Sequence, residues 1–482
     1  MTDGMLEPGT ASGADEGVPP RRPPGHVADL VAASTAALLV VAAVVVGAVL
    51  RDREVPIYAS TAPLRGVWDP RVGPTTAVAV ALALLFVATG PAVAARLPWR
   101  ALLATAWAAS FGWVLALGLV DGWTRLAHRL ARPGEYLAEV PGAPPRSELL
   151  PTFADRIARG PAGPGEPDAW VTHVAGHPPA ALEFWILVDR LGLRGGGWAA
   201  VICMVLGSSA CVAVAVAVRA MAGEALARRG FPFLVLAPAA LWIGVSADAV
   251  FLAVSAWGLA LLAIATRRSG PSGWAAAGSA GMLLGLALYL SYGLALIGLV
   301  ALGVLIAGRR LMPLLVAGVV VVGVVVSYTV GGFWWWEGYA QLRVRYYQGW
   351  GGERPYAYWV WADLAALAIC VGPAAVAGLR RAVAGLGGAV AGLGGAVAGL
   401  GGGVAGLRSA GPLAALVLPT LLAVTAATLS GLSKAEVERI WLPFALWLMA
   451  ACALLPPRTH RWWLAAQAVT ALGVQHLVLT SW

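Results

Sequence analysis

The sequence predicts an all-α protein: a polytopic transmembrane helical bundle of about 13 spans, with a long external loop carrying interfacial helices. Three observations lead there. Of 482 residues, 59% are hydrophobic, and the mean hydropathy is +0.77. Only 12% are charged, against roughly 25% in soluble proteins. The apolar residues gather into runs long enough to cross a bilayer, separated by short arginine-bearing turns. In hydrocarbon every backbone polar group must be paired inside its own segment, so these runs are expected as helices.

Residues 1 to about 27 are rich in Pro, Gly and acidic residues and lack apolar periodicity, as a disordered tail would be. The first apolar run follows Arg21 and Arg22 and is too long for a signal-peptide core, so it is read as a retained span. The expected spans are 29–50, 74–95, 101–120, 197–219, 231–245, 250–266, 273–290, 292–307, 312–333, 357–378, 411–430, 440–455 and 462–480. The runs 231–245 and 292–307 are short enough to tilt or re-enter. The chain thus divides into a tail (1–27), a bundle (28–378) interrupted by the external loop 121–196, a Gly/Ala-rich linker (379–410) and C-terminal spans (411–482).

Arginines set the orientation. With the N-terminus in the cytoplasm, the cytoplasmic turns hold Arg96 and Arg100; Arg219, Arg228 and Arg229; Arg267 and Arg268; Arg309 and Arg310; Arg380, Arg381 and Arg408; and Arg458 and Arg461. The first external loop, 51–73, also carries four arginines, partly offset by Asp52, Glu54 and Asp69. Residues 382–407 repeat AVAGLGG with a seven-residue period. Each glycine costs a helix about 1 kcal/mol relative to alanine, so this stretch is expected as a flexible cytoplasmic linker rather than a span. Were it to cross, every later segment would change side.

The net charge of +9 is not a nucleic-acid footprint, because the basic residues are scattered in small groups between apolar runs. Membrane lipids are the expected surroundings and no nucleic acid is expected as a partner. Arginine supplies nearly all the positive charge, Lys434 is the single lysine, and asparagine is absent. That bias suits a GC-rich bacterial genome, hence a multi-pass protein of a bacterial plasma membrane. Cys203, Cys211, Cys370 and Cys452 all fall within expected spans and form no CxxC, so they read as small packing residues.

The polar segments are unequally distributed. The external side receives the loop 121–196, the turn Ser246-Ala247-Asp248, the aromatic loop 334–356 and the turn 431–439. The long loop opens with Asp121 in LVDGWTRL and continues through PGEYLAEVP, which holds Glu135, Tyr136 and Glu139. In THVAGHPPAALEFWILVDRLGL, Gly176, Pro178 and Pro179 argue against a helix through His173 and His177. A helix is expected to start near Ala180 and, with Leu182, Trp185, Ile186 and Leu193 on its apolar face, to lie along the membrane surface. Two histidines without a clustered third ligand make weak metal evidence, and no metal site is assigned. Asp248 sits in a very short turn between apolar runs, where an ionisable residue is a functional candidate by default. Lys434, Glu436, Glu438 and Arg439 form a dense group, which a solvated helical turn with a Lys434–Glu438 pair would also explain. The segment FWWWEGYAQLRVRYYQGWGGERPYAYWVW suits either an interfacial aromatic belt or a surface for sugar and lipid phosphate built on Trp334 to Trp336, Arg343, Arg345 and Tyr347. Asp363 lies about 9 Å into its span by helix rise, within reach of the same face.

These elements resemble the GT-C glycosyltransferases that use polyprenyl-phosphate sugars. A span leads to a long external loop opening with an acid, and an HPP element precedes an interfacial helix. LAPAALWIGVSADAVFLAVSAWGLALL is similar to their proline-containing short span followed by an acidic turn, and SGLSKAEVERIWLPF to a charged turn before a Pro-containing span. The likeness covers roughly 100–310 and 430–445 and is of a mannosyltransferase-like, actinobacterial type. The acidic loop here follows the third expected span rather than the first, and no DD or DxD pair is present, so the base is not assigned by motif.

The resemblance implies inverting transfer of a sugar such as mannose from a polyprenyl-phosphate donor to a glycan or lipid acceptor on the outer side. No cofactor is implied beyond that lipid-linked co-substrate, and metal dependence is left open. Asp121 first, Asp248 second and Glu135 as a further acid are the expected catalytic carboxylates. Tyr136, His173, His177, Lys434, Glu436, Glu438, Arg439, Arg343 and Arg345 are the expected substrate contacts, with Arg439 or Lys434 facing the leaving phosphate. The rivals are a transporter or lipid flippase, which would carry midplane charge or matched repeats, and a non-catalytic membrane scaffold.

Overall fold

The computed structural model describes residues 25–58, 63–160, 168–392 and 411–480. The tail residues 1–24 and the linker residues 393–410 lie outside them.

Apolar runs become helices, as expected, and no multi-residue strand forms among the described residues. Eight helices are long and apolar enough to cross a bilayer: His26–Asp52, Thr76–Arg96, Trp99–Gly118, Gly195–Ala222, Asp248–Ala265, Gly270–Leu290, Met312–Val330 and Tyr356–Leu386. This is an integral membrane protein of helical type. A ninth crossing comes from Leu442–Leu454 and Pro457–Leu477 if that pair, bent by 112°, counts as one span. The apolar helices Tyr292–Gly308 and Ala414–Ser430 are shorter.

The expected count of about 13 is therefore not reached, for two physical reasons. The run 231–245 is broken. Helix Glu224–Val235 gives way near Pro238 to the single turn Ala240–Ile243, and nearly all of the run is buried in protein. Its apolarity serves the core rather than lipid. The runs 440–455 and 462–480 form one bent pair because Pro456 and Pro457 cannot continue a helix.

The Gly/Ala-rich segment also departs from expectation. Helix Tyr356–Gly392 continues through the first residues assigned to the linker. Extending an existing helix avoids the nucleation cost that an isolated glycine-rich segment would bear. The helix is also tied at this point: Asp29, fully buried, pairs with Arg380 and Arg381 at 2.6 Å each. The same helix kinks at Gly372, whose φ of 77° suits glycine. Buried Gln467 fills the kink, donating from Nε2 to Val371 O at 2.8 Å and accepting from Ala374 N at 3.3 Å.

Helices Gly195–Ala222 and Asp248–Ala265 run through the middle of the core, whereas His26–Asp52 exposes most of its length. Glycines permit close crossings. Gly281 and Gly285, four apart, face Ala317, Val320 and Val324 of helix Met312–Val330, the small-residue packing common between membrane helices.

The polar residues separate to two ends. One end holds the Asp29–Arg380–Arg381 cluster, the Arg219–Glu224 pair at 2.8 Å, and Arg228 donating to Ala94 O and Leu97 O. At the other, the loop 121–196 packs against the segments 331–356 and 431–440. The chain's end closes onto this side too, with an isolated antiparallel bridge between Trp68 and Val478.

Replacing Gln467 by Leu keeps the volume but orphans the backbone groups at the kink. The expected loss is about 2–4 kcal/mol, read as a lowered melting temperature of the detergent-solubilised protein.

Candidate functional site

Four segments meet at the loop-rich end, and each presents its polar side chains for a local reason. Helix Asp248–Ala265 begins at Asp248. The turn before it closes on itself: Asp248 N donates to Ser246 Oγ at 3.1 Å, and Ser246 Oγ donates to Asp248 Oδ2 at 2.5 Å. The Asp248 carboxylate is thus fixed at the helix start, where the dipole favours negative charge.

The long loop supplies Glu135 and Tyr136 at the head of the 3-10 turn Tyr136–Ala138. Glu135 pairs with Arg129 at 3.3 Å, and both are buried. Gly134 O accepts from His173 N at 3.1 Å and lies 2.7 Å from His173 Nδ1. His177 Nδ1 lies 2.7 Å from His173 O. A carbonyl only accepts, so each ring carries its proton on Nδ1 and turns a bare Nε2 elsewhere. One helical turn, Thr172–Ala175, does form around His173, and a helix runs Ala180–Arg190, starting where the HPP element predicts, with Leu182 and Trp185 buried in protein.

The segment 431–440 is not the solvated helical turn that its charges suggest. Ala435 and Glu436 are both left-handed, at φ 69° and 60°, a conformation that costs non-glycine residues on the order of 1–3 kcal/mol and clusters at functional sites. Lys434 therefore lies outside the short helix Val437–Ile440, and no helical i,i+4 register joins it to Glu438. The strained pair is held from both sides. Asp363 Oδ1 accepts from Ala435 N at 3.0 Å. Arg354 donates to Lys434 O at 2.6 Å and to Tyr58 O at 3.0 Å, and approaches Glu436 at 3.4 Å. Lys434 returns the contact, donating from Nζ to Arg354 O at 2.8 Å.

Held this way, Arg439 is delivered to the centre. Its Nη1 meets Asp248 Oδ2 at 3.0 Å and its Nη2 meets Glu436 Oε2 at 2.5 Å. Arg439, Asp248, Glu135, Tyr136, His173 and Ser246 line one narrow crevice. The Tyr136 hydroxyl is buried there with no hydrogen-bond partner among the described residues.

The crevice shares His173, Asp248 and Arg439 with a cavity of about 500 Å³. His173, His177, Asp248 and Arg439 form its polar end, while Phe251, Leu294, Leu342, Trp441 and Phe444 contribute to an apolar remainder.

Charge states differ sharply within this small volume. Burial pushes the Glu135 carboxyl up to about 7, against the pull of Arg439 and Arg129. Burial also lowers His173 to about 3, helped by the Arg439 charge, and lowers His177. Burial opposes charge on Glu436 as well, but Arg439 and Arg354 outweigh it and hold that carboxylate at about 2. For Arg439 burial works against the charge, yet Glu436 and Asp248, then Glu135, raise it above the usual arginine range. At neutral pH the site presents a charged guanidinium, neutral imidazoles and one carboxyl close to its midpoint.

Not every expected residue joins. Asp121 lines neither crevice nor cavity. It is tied to Arg71 at 3.2 Å, Arg125 at 3.9 Å and Gln475 at 3.2 Å, locking the first loop to the chain's end. Arg343 is exposed, and Arg345 donates to Trp170 O at 3.0 Å, bracing the loop. Lys434, Glu436, Glu438 and Asp363 line neither crevice nor cavity. Of the aromatic loop, Trp335 and Trp336 line the cavity, whereas Trp334 and Tyr347 are exposed outside it.

Arg129, Ser246 and Arg354 are the partners that sequence reasoning missed. In sequence they resemble any loop polar residue, since burial is what makes them matter. The sequence signal nearest to any of them was the confinement of Ser246 to the same tight turn as Asp248.

No protein-family profile, curated protein or solved structure matches this chain.

Arg354→Ala leaves the Lys434 and Tyr58 carbonyls without this donor and removes the weaker of the two guanidinium groups that Glu436 meets. A loss of about 2–4 kcal/mol is expected, with a lower melting temperature, while Arg354→Lys recovers only part because lysine cannot fork.

Proposed function

We propose that this protein is a membrane glycosyltransferase of the GT-C type, moving a sugar such as mannose from a polyprenyl-phosphate donor to a glycan or lipid acceptor. The observation that carries the reading is the cavity itself: apolar along its walls, with Arg439, Asp248 and two neutral histidines at one end. A lipid phosphate needs such a container, with hydrocarbon against the walls and the phosphate against a cation. Asp121, the first base implied by the family resemblance, lines neither the crevice nor the cavity, and the role passes to the crevice carboxylates.

The chemistry assigned is one displacement. The acceptor oxygen forms a bond to the anomeric carbon while the bond from that carbon to the phosphate oxygen breaks. The electron pair leaves on the phosphate, where Arg439 stabilises the developing charge. The acceptor proton passes to Glu135, whose carboxyl near 7 suits a base working at neutral pH. Asp248, bound by Arg439 and Ser246, holds the guanidinium in place. Two carboxylates in unlike surroundings thus take unlike roles.

Membrane fractions incubated with radiolabelled polyprenyl-phosphate mannose and a mannoside acceptor test the reading. Glu135→Gln is expected to lower the rate about 10²–10⁴-fold, and Arg439→Ala to lower it comparably, whereas Asp121→Asn retains transfer. Donor crossing sealed vesicles with no transfer product would replace the enzyme by a lipid carrier, since the same cavity would suit one.

The pH profile follows from the same carboxyl. A base must be deprotonated to act, so kcat/KM is expected to fall about tenfold per pH unit below about 7 and to level off above it. A profile flat from pH 5 to 8 removes Glu135 from the proton transfer.

The proposed orientation places the site on the outer side of a bacterial plasma membrane and the N-terminus inside. The four native cysteines are buried and should stay silent to a thiol reagent. Val72→Cys and Tyr347→Cys are expected to label from outside intact cells, and Arg268→Cys and Arg310→Cys only after permeabilisation. The reverse pattern inverts the topology.

A further inference from the structure

Two turns at the arginine-rich end each carry a pair of arginines. Arg267 and Arg268 lie between helices Asp248–Ala265 and Gly270–Leu290; Arg309 and Arg310 lie between Ile297–Gly308 and Met312–Val330. The turns are pressed together. A methyl group at Gly308 would collide with Thr266, so glycine is what lets the second turn close on the first. Arg310 Nη1 then donates across to Arg268 O at 2.8 Å, and Arg267 Nη2 donates to Met221 O at 3.1 Å. Four exposed arginines thus share one corner.

None of the four has an acidic partner among the described residues. The two described carboxylates at this end are engaged elsewhere, Asp29 by Arg380 and Arg381 and Glu224 by Arg219 and Arg228. Like charges held this close repel until an anion lies among them. Setting the orientation of the chain calls for arginines near a turn, but not for this arrangement. Arg309 takes a left-handed backbone, with φ 54°, at the end of its helix. Glycine fills that place without strain, so the guanidinium is kept there against the preference of the backbone.

The surface beside the arginines is apolar. Trp274 is 53% exposed, Leu311 64%, Met312 48% and Leu315 53%. Helices Gly270–Leu290 and Met312–Val330 run parallel, with Gly281 against Ala317 and Gly285 against Val324, which sets Trp274 and Met312 near the same level. Basic groups among helix ends hold phospholipid headgroups, and guanidinium forks pair with phosphate oxygens two at a time. A soluble anion would use the arginines and leave the apolar flank without a purpose. Four cations suit two phosphates better than one.

We infer that these two turns form a phospholipid site holding a headgroup with two phosphate groups, as in cardiolipin, its acyl chains lying along Trp274, Leu311 and Met312. The site lies at the opposite end of the bundle from the cavity and does not depend on its chemistry.

The test titrates delipidated full-length protein in detergent with cardiolipin, phosphatidylglycerol and inorganic pyrophosphate. Bound ligand is read by native mass spectrometry, and the melting temperature is followed in parallel. Cardiolipin is expected to bind wild type more tightly than either other probe and to raise its melting temperature. An arginine near a membrane surface is worth about fivefold in binding, so Arg268→Gln combined with Arg309→Gly should weaken cardiolipin about thirtyfold. Arg309→Gly also relieves the left-handed strain, so without lipid its melting temperature should be no lower than wild type; misfolding then cannot account for the loss. Arg100→Gln combined with Arg458→Gln removes two other exposed arginines of the same end and should leave cardiolipin binding unchanged. An equal loss in both double variants shows general charge attraction and overturns the site. So does pyrophosphate binding as tightly as cardiolipin, which marks a site for a soluble anion. The tail residues Asp3, Glu7, Asp15 and Glu16 are the competing acids in this chain. Cardiolipin binding that appears only when all four are made amides assigns the arginines to the tail and overturns the lipid site.

Discussion

Arg439 is the interaction on which the loop-rich end depends. One guanidinium joins Asp248, at the start of a core helix, to Glu436, in the strained turn of the C-terminal region. Asp248 lies 191 positions from it and Glu436 three, so one side chain joins distant parts of the chain while fixing its own local backbone. Burying such ions is expensive unless each is paired and hydrogen-bonded. The protein meets that condition through layers: Ser246 behind Asp248, Arg354 behind Glu436, and Asp363 beneath the Ala435 amide.

The arrangement explains why the left-handed pair at Ala435 and Glu436 persists. A regular helix through 434–440 would carry Glu436 and Arg439 on the surface, three apart, as an ordinary solvated pair. Forcing two residues into the left-handed region instead turns Arg439 inward, and the buried hydrogen bonds of Arg354 and Asp363 oppose relaxation. Strain here is stored next to a cavity with a polar end, which is where such strain concentrates in proteins.

The two ends of the bundle use charge differently. At the arginine-rich end, Asp29 and its two arginines tie the first helix to the long kinked one, and nearby guanidinium groups cap free helix carbonyls. These contacts fasten helices. At the loop-rich end the protonation preferences of paired carboxyls diverge, with Glu135 near 7 and Glu436 near 2. Glu135 lines the crevice, where burial dominates, and Glu436 stands outside it, where the charges of Arg439 and Arg354 outweigh burial.

Asp248, Glu135, His173 and Arg439 were all legible as candidates in the sequence, because a charge or histidine wedged between apolar runs stands out against so uniform a background. Asp121 stood out equally and lies elsewhere. Its position at a span's end could not distinguish a site from a brace, since that depends on Arg71 and Gln475, far away in the chain. Arg354 was invisible because nothing local separates a buried arginine from a solvated one. The sequence by itself determined that the chain is helical and membrane-embedded: hydrocarbon demands internally paired backbone, and long apolar runs meet that demand one segment at a time. It also determined where the HPP-led helix begins, because proline limits what can precede it. Only the tertiary structure decided how many runs cross and which polar groups share a cavity. Both depend on which apolar faces meet lipid and which meet protein, and hydrophobicity is the same in either case.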